Sequence, residues 1–370
     1  MLTKGDDYPI HQTPEPIAFS GTDRNFYDRY FFSGSLPDGE GYFAVAFGIY
    51  PHLDVADAHV SVIRDGVQHC VHASRILHME RLALRVGPIS IEVLEPLHKL
   101  RVVLAPTDGL SADLTFEGRV FPVQEPRFTL RQGARTVMDV TRMTQTGRWR
   151  GHIEVDGHRI DYGPGAVGVR DRSWGVRPIG APDAQANPAA RAPQFYWLWG
   201  PSNFAAMSLF WHTNDDAAGR AWNTRAVIAQ DGAEAGALRH IEQTRCDARY
   251  APGTRRIQKA IVTLTDADGA KAAVAYEPFA LFQMKGIGYG HPDWGHGRLH
   301  GDLRVEREDI RLCDQAWNTL ANLHVQAISK VVYTDFGGAA FSGLGILEQL
   351  LIGAHEPSGF RDILDGAAQA

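Results

Sequence analysis

Short runs of aromatic and β-branched residues, cut at close intervals by Asp-Gly pairs, constrain this chain more than any other feature. Residues 41–50 read GYFAVAFGIY. Residues 59–64 and 67–72 flank Asp65-Gly66, and residues 152–155 and 158–162 flank Asp156-Gly157. Asp-Gly tolerates the positive φ that a two-residue hairpin turn demands, so each pair predicts two antiparallel strands. Residues 89–93, 100–104 and 114–123 continue the series. Strands resume at 194–200, 204–212, 221–229, 257–265 and 272–276, with turns at Asp231-Gly232 and Asp268-Gly269. Strands this short and closely spaced predict an all-β fold of antiparallel barrels or sandwiches rather than a parallel α/β sheet.

The second half repeats the β character of the first without an internal sequence repeat, and 370 residues suit two domains. Residues 179–193 (IGAPDAQANPAARAP) are rich in Ala and Pro and lack apolar periodicity, which reads as a linker or mobile loop. The boundaries expected are therefore 1–178, a connection at 179–193, a second β domain at 194–340, and a C-terminal helix and tail at 341–370. The helix is predicted at 344–354 (LGILEQLLIGA), where apolar residues recur at helical spacing.

With 44% hydrophobic and 22% charged residues the chain can build a sizeable core. A net charge of -6 argues against a nucleic-acid binder. Cys70, Cys246 and Cys313 are odd in number and form no CxxC pair, which disfavours a disulfide framework or structural zinc and fits a reducing cytoplasm. No signal-like segment opens the chain, and no run approaches the roughly 20 apolar residues of a membrane span. No integral membrane contact is expected; a homodimer is a reasonable expectation, since symmetric pairs are common.

Three segments carry groups capable of chemistry. Residues 168–178 (GVRDRSWGVRP) hold Arg170, Asp171, Arg172, Ser173, Trp174 and Arg177. Neighbouring guanidinium charge favours an ionised Asp171 and burial opposes it, a balance that suits proton transfer near neutral pH. The structural alternative is an Asp171 ion pair locking two strands, with Trp174 in the core. The second segment brings Trp197 and Trp199 to one face of a strand, with Asn203, Phe204, Phe210, Trp211 and His212 nearby. Two indoles on one face suit a large flat substrate, and His212 suits acid–base work, although an aromatic core seam explains the same pattern. The third, residues 286–301 (GIGYGHPDWGHGRLHG), reads as a shaped loop presenting Tyr289, His291 or His296 to a ligand. Its histidines, with Asp293 and His300, match no standard zinc spacing, so no metal is expected. GIGYG lacks the strand-to-helix context of a nucleotide site, and no GxSxG, P-loop or HExxH motif occurs.

GVRDRSWGVRP, followed by YWLWGPSNF, HPDWGHG and GLGILEQ, resembles the two-domain lipocalin-like superfamily of bacterial AttH-like proteins and carotenoid 1,2-hydratases (hydroxyneurosporene synthase), closest to the branch with an RDxSWG motif. The resemblance runs from about Gly41 to Gly345. It implies two lipocalin-like β domains packed together, with a ligand cavity at or near their junction. It also implies cofactor-independent hydration, dehydration or cyclisation of bulky apolar molecules. The acid proposed as proton donor in the hydratases falls at Asp171. Their Tyr two positions earlier is Val169 here, and their upstream His/Trp stretch reads Arg142-Met143-Thr144-Gln145, which points away from carotenoid hydration.

The function expected is a cofactor-independent acid–base lyase acting on a bulky apolar, aromatic, phenolic or isoprenoid molecule. Asp171, His212 and Arg170 are the expected catalytic residues. Arg172, Trp174, Arg177, Trp197, Trp199, Asn203, Tyr289, His291 and His296 are the expected substrate contacts. An arginine would hold a phenolic or carboxylate group. The alternative is a non-catalytic carrier of a hydrophobic ligand, since fold does not fix function.

Overall fold

The fold is described from a computed structural model covering residues 4–10, 23–78, 80–185 and 187–368. Its contacts divide the chain into two units, 1–190 with 285–311 and 191–284 with 312–370.

The first unit is built on one antiparallel sheet. Four strands lead it: β1 (Phe26–Ser35), β2 (Phe43–Tyr50), β3 (Val55–Arg64) and β4 (Val67–Ile76). The sheet order runs from Leu303–Arg311 through β4, β3, β2 and β1 to Val167–Val176, then Arg135–Val155, Leu110–Gly118, Lys99–Thr107, Ile89–Glu95 and Arg85–Val86. Arg75 of β4 donates to the carbonyls of Ala83 and Arg85, so the far edge returns toward β4 and the sheet is nearly closed into a barrel. Both Asp-Gly hairpins form as the sequence predicts. Asp65 and Gly66 have φ of 51° and 74° between Arg64 and Val67, and Asp156 and Gly157 have 50° and 79° between Val155 and His158.

Alternation gives each strand two faces. One face turns Tyr30, Phe32, Phe43, Val45, Val60, Leu114 and Trp149 into a single apolar core. The Trp149 indole lies across Gly34 and Gly168 and donates to the Ser33 carbonyl at 2.9 Å. A Cβ on Gly34 would stand 2.4 Å from that ring, so the first glycine of residues 168–178 and its neighbour on β1 make room for an indole. Side chains therefore fill this interior.

The second unit is also antiparallel, in the order Arg239–Ile241, Ala221–Gln230, Met207–Asp215, Phe195–Trp199, Ala340–Ile352, Val325–Thr334, Lys271–Gln283, Ile257–Thr265 and Gln243–Tyr250. Its core gathers Tyr196, Leu198, Leu209, Trp211, Val262, Val274, Leu347 and Leu351. Here the helix predicted at 344–354 is corrected: those residues lie in the strand Ala340–Ile352. Leu347 and Leu351 enter the core while Ile346 and Glu348 are buried on the other face. A strand buried on both sides reads as a continuous apolar run and mimics helical spacing.

No regular strand or helix forms among the described residues of 179–193. Among the described residues, no helix is long and apolar enough to cross a membrane.

Candidate active site

The face of the first sheet that turns away from its apolar core is also buried, yet it is polar. Register places the groups side by side. Arg29 of β1 lies opposite Ser173 on one flank and Gly48 on the other. Gly48 lies opposite Asp57, Ala46 opposite His59, and His59 opposite His72. Since directly paired residues share a face, Asp171, Ser173, Arg29, Asp57, His59 and His72 all project the same way. Arg29, His59 and His72 are 0% exposed and Asp57 is 2% exposed.

Residues 285–301 cross this face. Gly297 N–H donates to Asp57 Oδ2 at 2.7 Å, and the Arg298 carbonyl accepts from Ser74 Oγ at 3.1 Å. The Trp294 ring stacks on His72, centroids 5.4 Å apart. Gly288 has a φ of 87°, and a Cβ there would stand 2.7 Å from His296 Cδ2 and 2.8 Å from His59 Nε2. The loop needs glycine at that point both for its left-handed turn and for its close approach to two imidazoles.

Hydrogen bonds fix most of the tautomers. His291 Nδ1 accepts the backbone N–H groups of Asp293 and Trp294, so its Nε2 carries the hydrogen and donates to Glu308 Oε2 at 3.1 Å. His72 Nε2 donates to the same oxygen at 3.2 Å. These two hydrogen bonds hold the Glu308 carboxyl well below the usual range. Burial keeps His72 and His59 neutral, below the ordinary imidazole range. With its Nε2 hydrogen committed to Glu308, His72 Nδ1 is bare and accepts His59 Nδ1–H at 2.9 Å. That leaves His59 Nε2 as a buried lone pair with no hydrogen-bond partner among the described residues, 3.8 Å from Asp57 Oδ1. Asp57 accepts Tyr50 O–H at 3.0 Å, and burial raises its carboxyl to about 6.

His72, His291 and Glu308 lie close enough to hold a metal ion. The tautomer argues otherwise. A histidine ligating through Nε2 must carry its hydrogen on Nδ1 and donate it to an acceptor. His291 Nδ1 instead faces two backbone donors. As bonded, this trio is a hydrogen-bonded carboxylate rather than a metal centre.

At one end of the face stand Arg177, Tyr289 and His296, all half-buried. Arg29 and Arg177 both donate to His296 Nδ1, Arg177 at 3.1 Å, while His296 Nε2 donates to the Ile287 carbonyl at 3.0 Å. His296 is therefore neutral, and burial and the two guanidiniums push its pKa well below the ordinary range. Arg29 lies 4.5 Å from the Tyr289 ring centre and Arg177 lies 4.3 Å from that of Tyr27.

The expected site residues divide into three groups. Asp171, Arg177, Tyr289, His291 and His296 share the polar face or its covering loop. Arg170, Arg172 and Trp174 point to the opposite side of the same strand. Arg170 is paired with Asp7 and bonded to Gln145, and Arg172 pairs with Asp28 at 2.6 Å over the Tyr30 ring. Trp197, Trp199, Asn203 and His212 belong to the second unit. Trp199 is paired across strands with His212, His212 Nε2 meets Asn223 Oδ1 at 2.8 Å, and Asn203 pairs with Ser208. Trp197 donates to Glu348, a buried carboxylate that also accepts from His324 and Gln326. Sequence reasoning missed Arg29, Asp57, His59 and Glu308. Strand alternation is the signal that could have placed His72 on the face opposite His69. An open cleft of about 500 Å³ on the second unit, lined by Arg239, Glu242, Asp266 and Asp268, holds none of the expected residues.

A family model described as a family of unknown function, DUF8625, matches residues 2–361. No curated protein matches the sequence. The crystal structure of CghA with Sch210972 is similar at 12% identity and a TM-score of 0.54, covering 93% of this chain and 95% of that one. A further crystal structure of CghA has 13% identity, the same TM-score and the same shares. A protein assigned to AttH from Nitrosomonas europaea has 13% identity over 88% of this chain and 93% of that one, with a TM-score of 0.49, too low to carry weight. At such identity the likeness to CghA speaks to the fold alone.

Proposed function

From a chain that belongs to DUF8625, a family of unknown function, we propose an enzyme: a cofactor-independent acid–base catalyst of the lyase type acting on a bulky hydrophobic small molecule. One observation carries this reading. The sheet face opposite the apolar core buries Arg29, Asp57, His59 and His72 where apolar side chains would serve stability better. Such an arrangement is costly to maintain for structure alone and useful for proton transfer. Asp171, half-buried on that face, is assigned the proton-handling role, and a side chain with its reach contributes about 10²- to 10⁴-fold when positioned. The packed barrel interior supports catalysis over carriage, because a carrier of this type would hold its ligand inside.

The test uses the purified full chain without added cofactor, incubated with isoprenoid and aryl-alcohol panels and read by mass spectrometry. Turnover is expected, and Asp171→Asn should lower it by the factor above while ligand still quenches tryptophan fluorescence. Full activity in that variant would remove Asp171 from the mechanism. Quenching without product from the native chain would favour the carrier.

A further inference from the structure

We propose that Arg29 and Arg177, meeting at His296, form a receptor for one anionic oxygen group, a carboxylate or enolate, on a hydrophobic ligand. This deepens the preceding reading by naming the polar handle of its substrate, and it rests on that reading for the hydrophobic frame.

The fold's own habits make the case. On the core side of Val167–Val176, each buried arginine meets a carboxylate: Arg170 with Asp7, Arg172 with Asp28. Arg29 and Arg177 are treated differently. Their side-chain hydrogen-bond acceptors carry no formal charge: the single Nδ1 lone pair of His296 for both, the Ile287 carbonyl at 3.1 Å for Arg29, and the Tyr289 hydroxyl for Arg177. Neither has a carboxylate at ion-pair distance among the described residues. The Nε–H of each is buried without a partner. Tyrosine rings at 4.3–5.5 Å offer partial compensation through their faces.

Among the described residues, no carboxylate at ion-pair distance from either guanidinium supplies the missing charge. His296 is held neutral by the two donors on Nδ1 and by its own donation from Nε2. Asp57 feels both guanidiniums, but its oxygens are committed to Tyr50 and Gly297. Two cations thus face one committed carboxylate. Arg29 is fully buried, while Arg177, Tyr289 and His296 are half-buried, so this end of the cluster is the part that borders solvent. A planar anion would take the two idle Nε–H donors and relieve the repulsion between the guanidiniums. Tyr289 and Tyr27 would flank its apolar frame.

The experiment is binding, not turnover, so its failure is separable from failure of the enzymatic reading. Naphthoate and its neutral isostere naphthamide are titrated into the full chain, followed by the arginine Nε–H resonances and by thermal midpoint. Naphthoate should bind, raise the midpoint and shift the resonances of Arg29 and Arg177; naphthamide should not. Arg177→Gln should weaken naphthoate about ten- to hundred-fold. Arg177→Lys should recover part of the loss, and the exposed Arg220→Gln should change nothing. Folding of both Arg177 variants is checked by an unchanged amide spectrum away from the site. Equal binding of the amide, no binding of either compound, or full affinity in Arg177→Gln would each overturn the receptor.

Discussion

At the scale of single residues, sequence distance and spatial distance disagree within one short stretch. Arg170, Asp171 and Arg172 are adjacent, and adjacency suggested mutual electrostatics. On a strand, adjacent side chains point to opposite faces, so the two arginines leave Asp171 and enter a buried lattice with Asp7 and Asp28. Both arginines are 0% exposed, so their removal is expected to be costly. Arg170→Met strands Asp7 in the interior and should cost about 3–5 kcal/mol, read from the denaturant midpoint. Asp7→Asn combined with Arg170→Met should recover most of it, because the loss comes from the orphaned charge. Gly288→Ala tests the loop in the same way. The left-handed φ and the two imidazoles beneath should cost about 1–3 kcal/mol. What the sequence could offer at this scale was residue type: Arg177, Tyr289 and His296 stood out as candidates. Their partner Arg29 did not, because only the register of β1 brings it opposite Ser173.

Among elements, the hairpins were readable because their information is local. Asp65-Gly66 and Asp156-Gly157 carry the backbone signature of their turns in two residues. The strand Ala340–Ile352 was not, because its identity is set by neighbours. It lies between Phe195–Trp199 and Val325–Thr334, and both of its faces are covered. Apolar residues on both faces erase the period-two pattern that marks a half-exposed strand. Leu347 sits at the centre of that strand at 0% exposure. Leu347→Ala should therefore lower stability by about 2–5 kcal/mol. A peripheral helix would lose far less, so chemical denaturation of this variant separates the two assignments.

Across the whole molecule, the buried histidines set a direction for pH dependence. An unfolded imidazole takes a proton below 6.5, whereas His59, His72 and His296 stay neutral in the fold to lower pH. Unfolding thus binds protons below 6.5, and stability falls on acidification by up to about 1.4 kcal/mol per pH unit for each group. Glu308, held low in the fold, adds to the loss below its unfolded value of 4.5. Asp57 opposes this: its contribution is fully present below 3.8 and is lost as pH rises through about 6. The thermal midpoint should fall steeply below pH 6.5, and His72→Gln should make that limb shallower by about one proton. An acid limb unchanged in the variant would show that His72 is protonated in the fold.

The division of the chain also has a consequence for the order of events during synthesis. Residues 285–311 belong with the first unit, yet most of the second unit's strands precede them. A nascent chain that has passed residue 190 still lacks the strand Leu303–Arg311, so β4 waits as an open edge with its backbone unpaired. The histidine face waits uncovered for the same interval. Folding of the first unit must therefore finish late, after much of the second has left the ribosome, and a chain arrested before residue 285 should be captured by chaperones or aggregate rather than fold in advance.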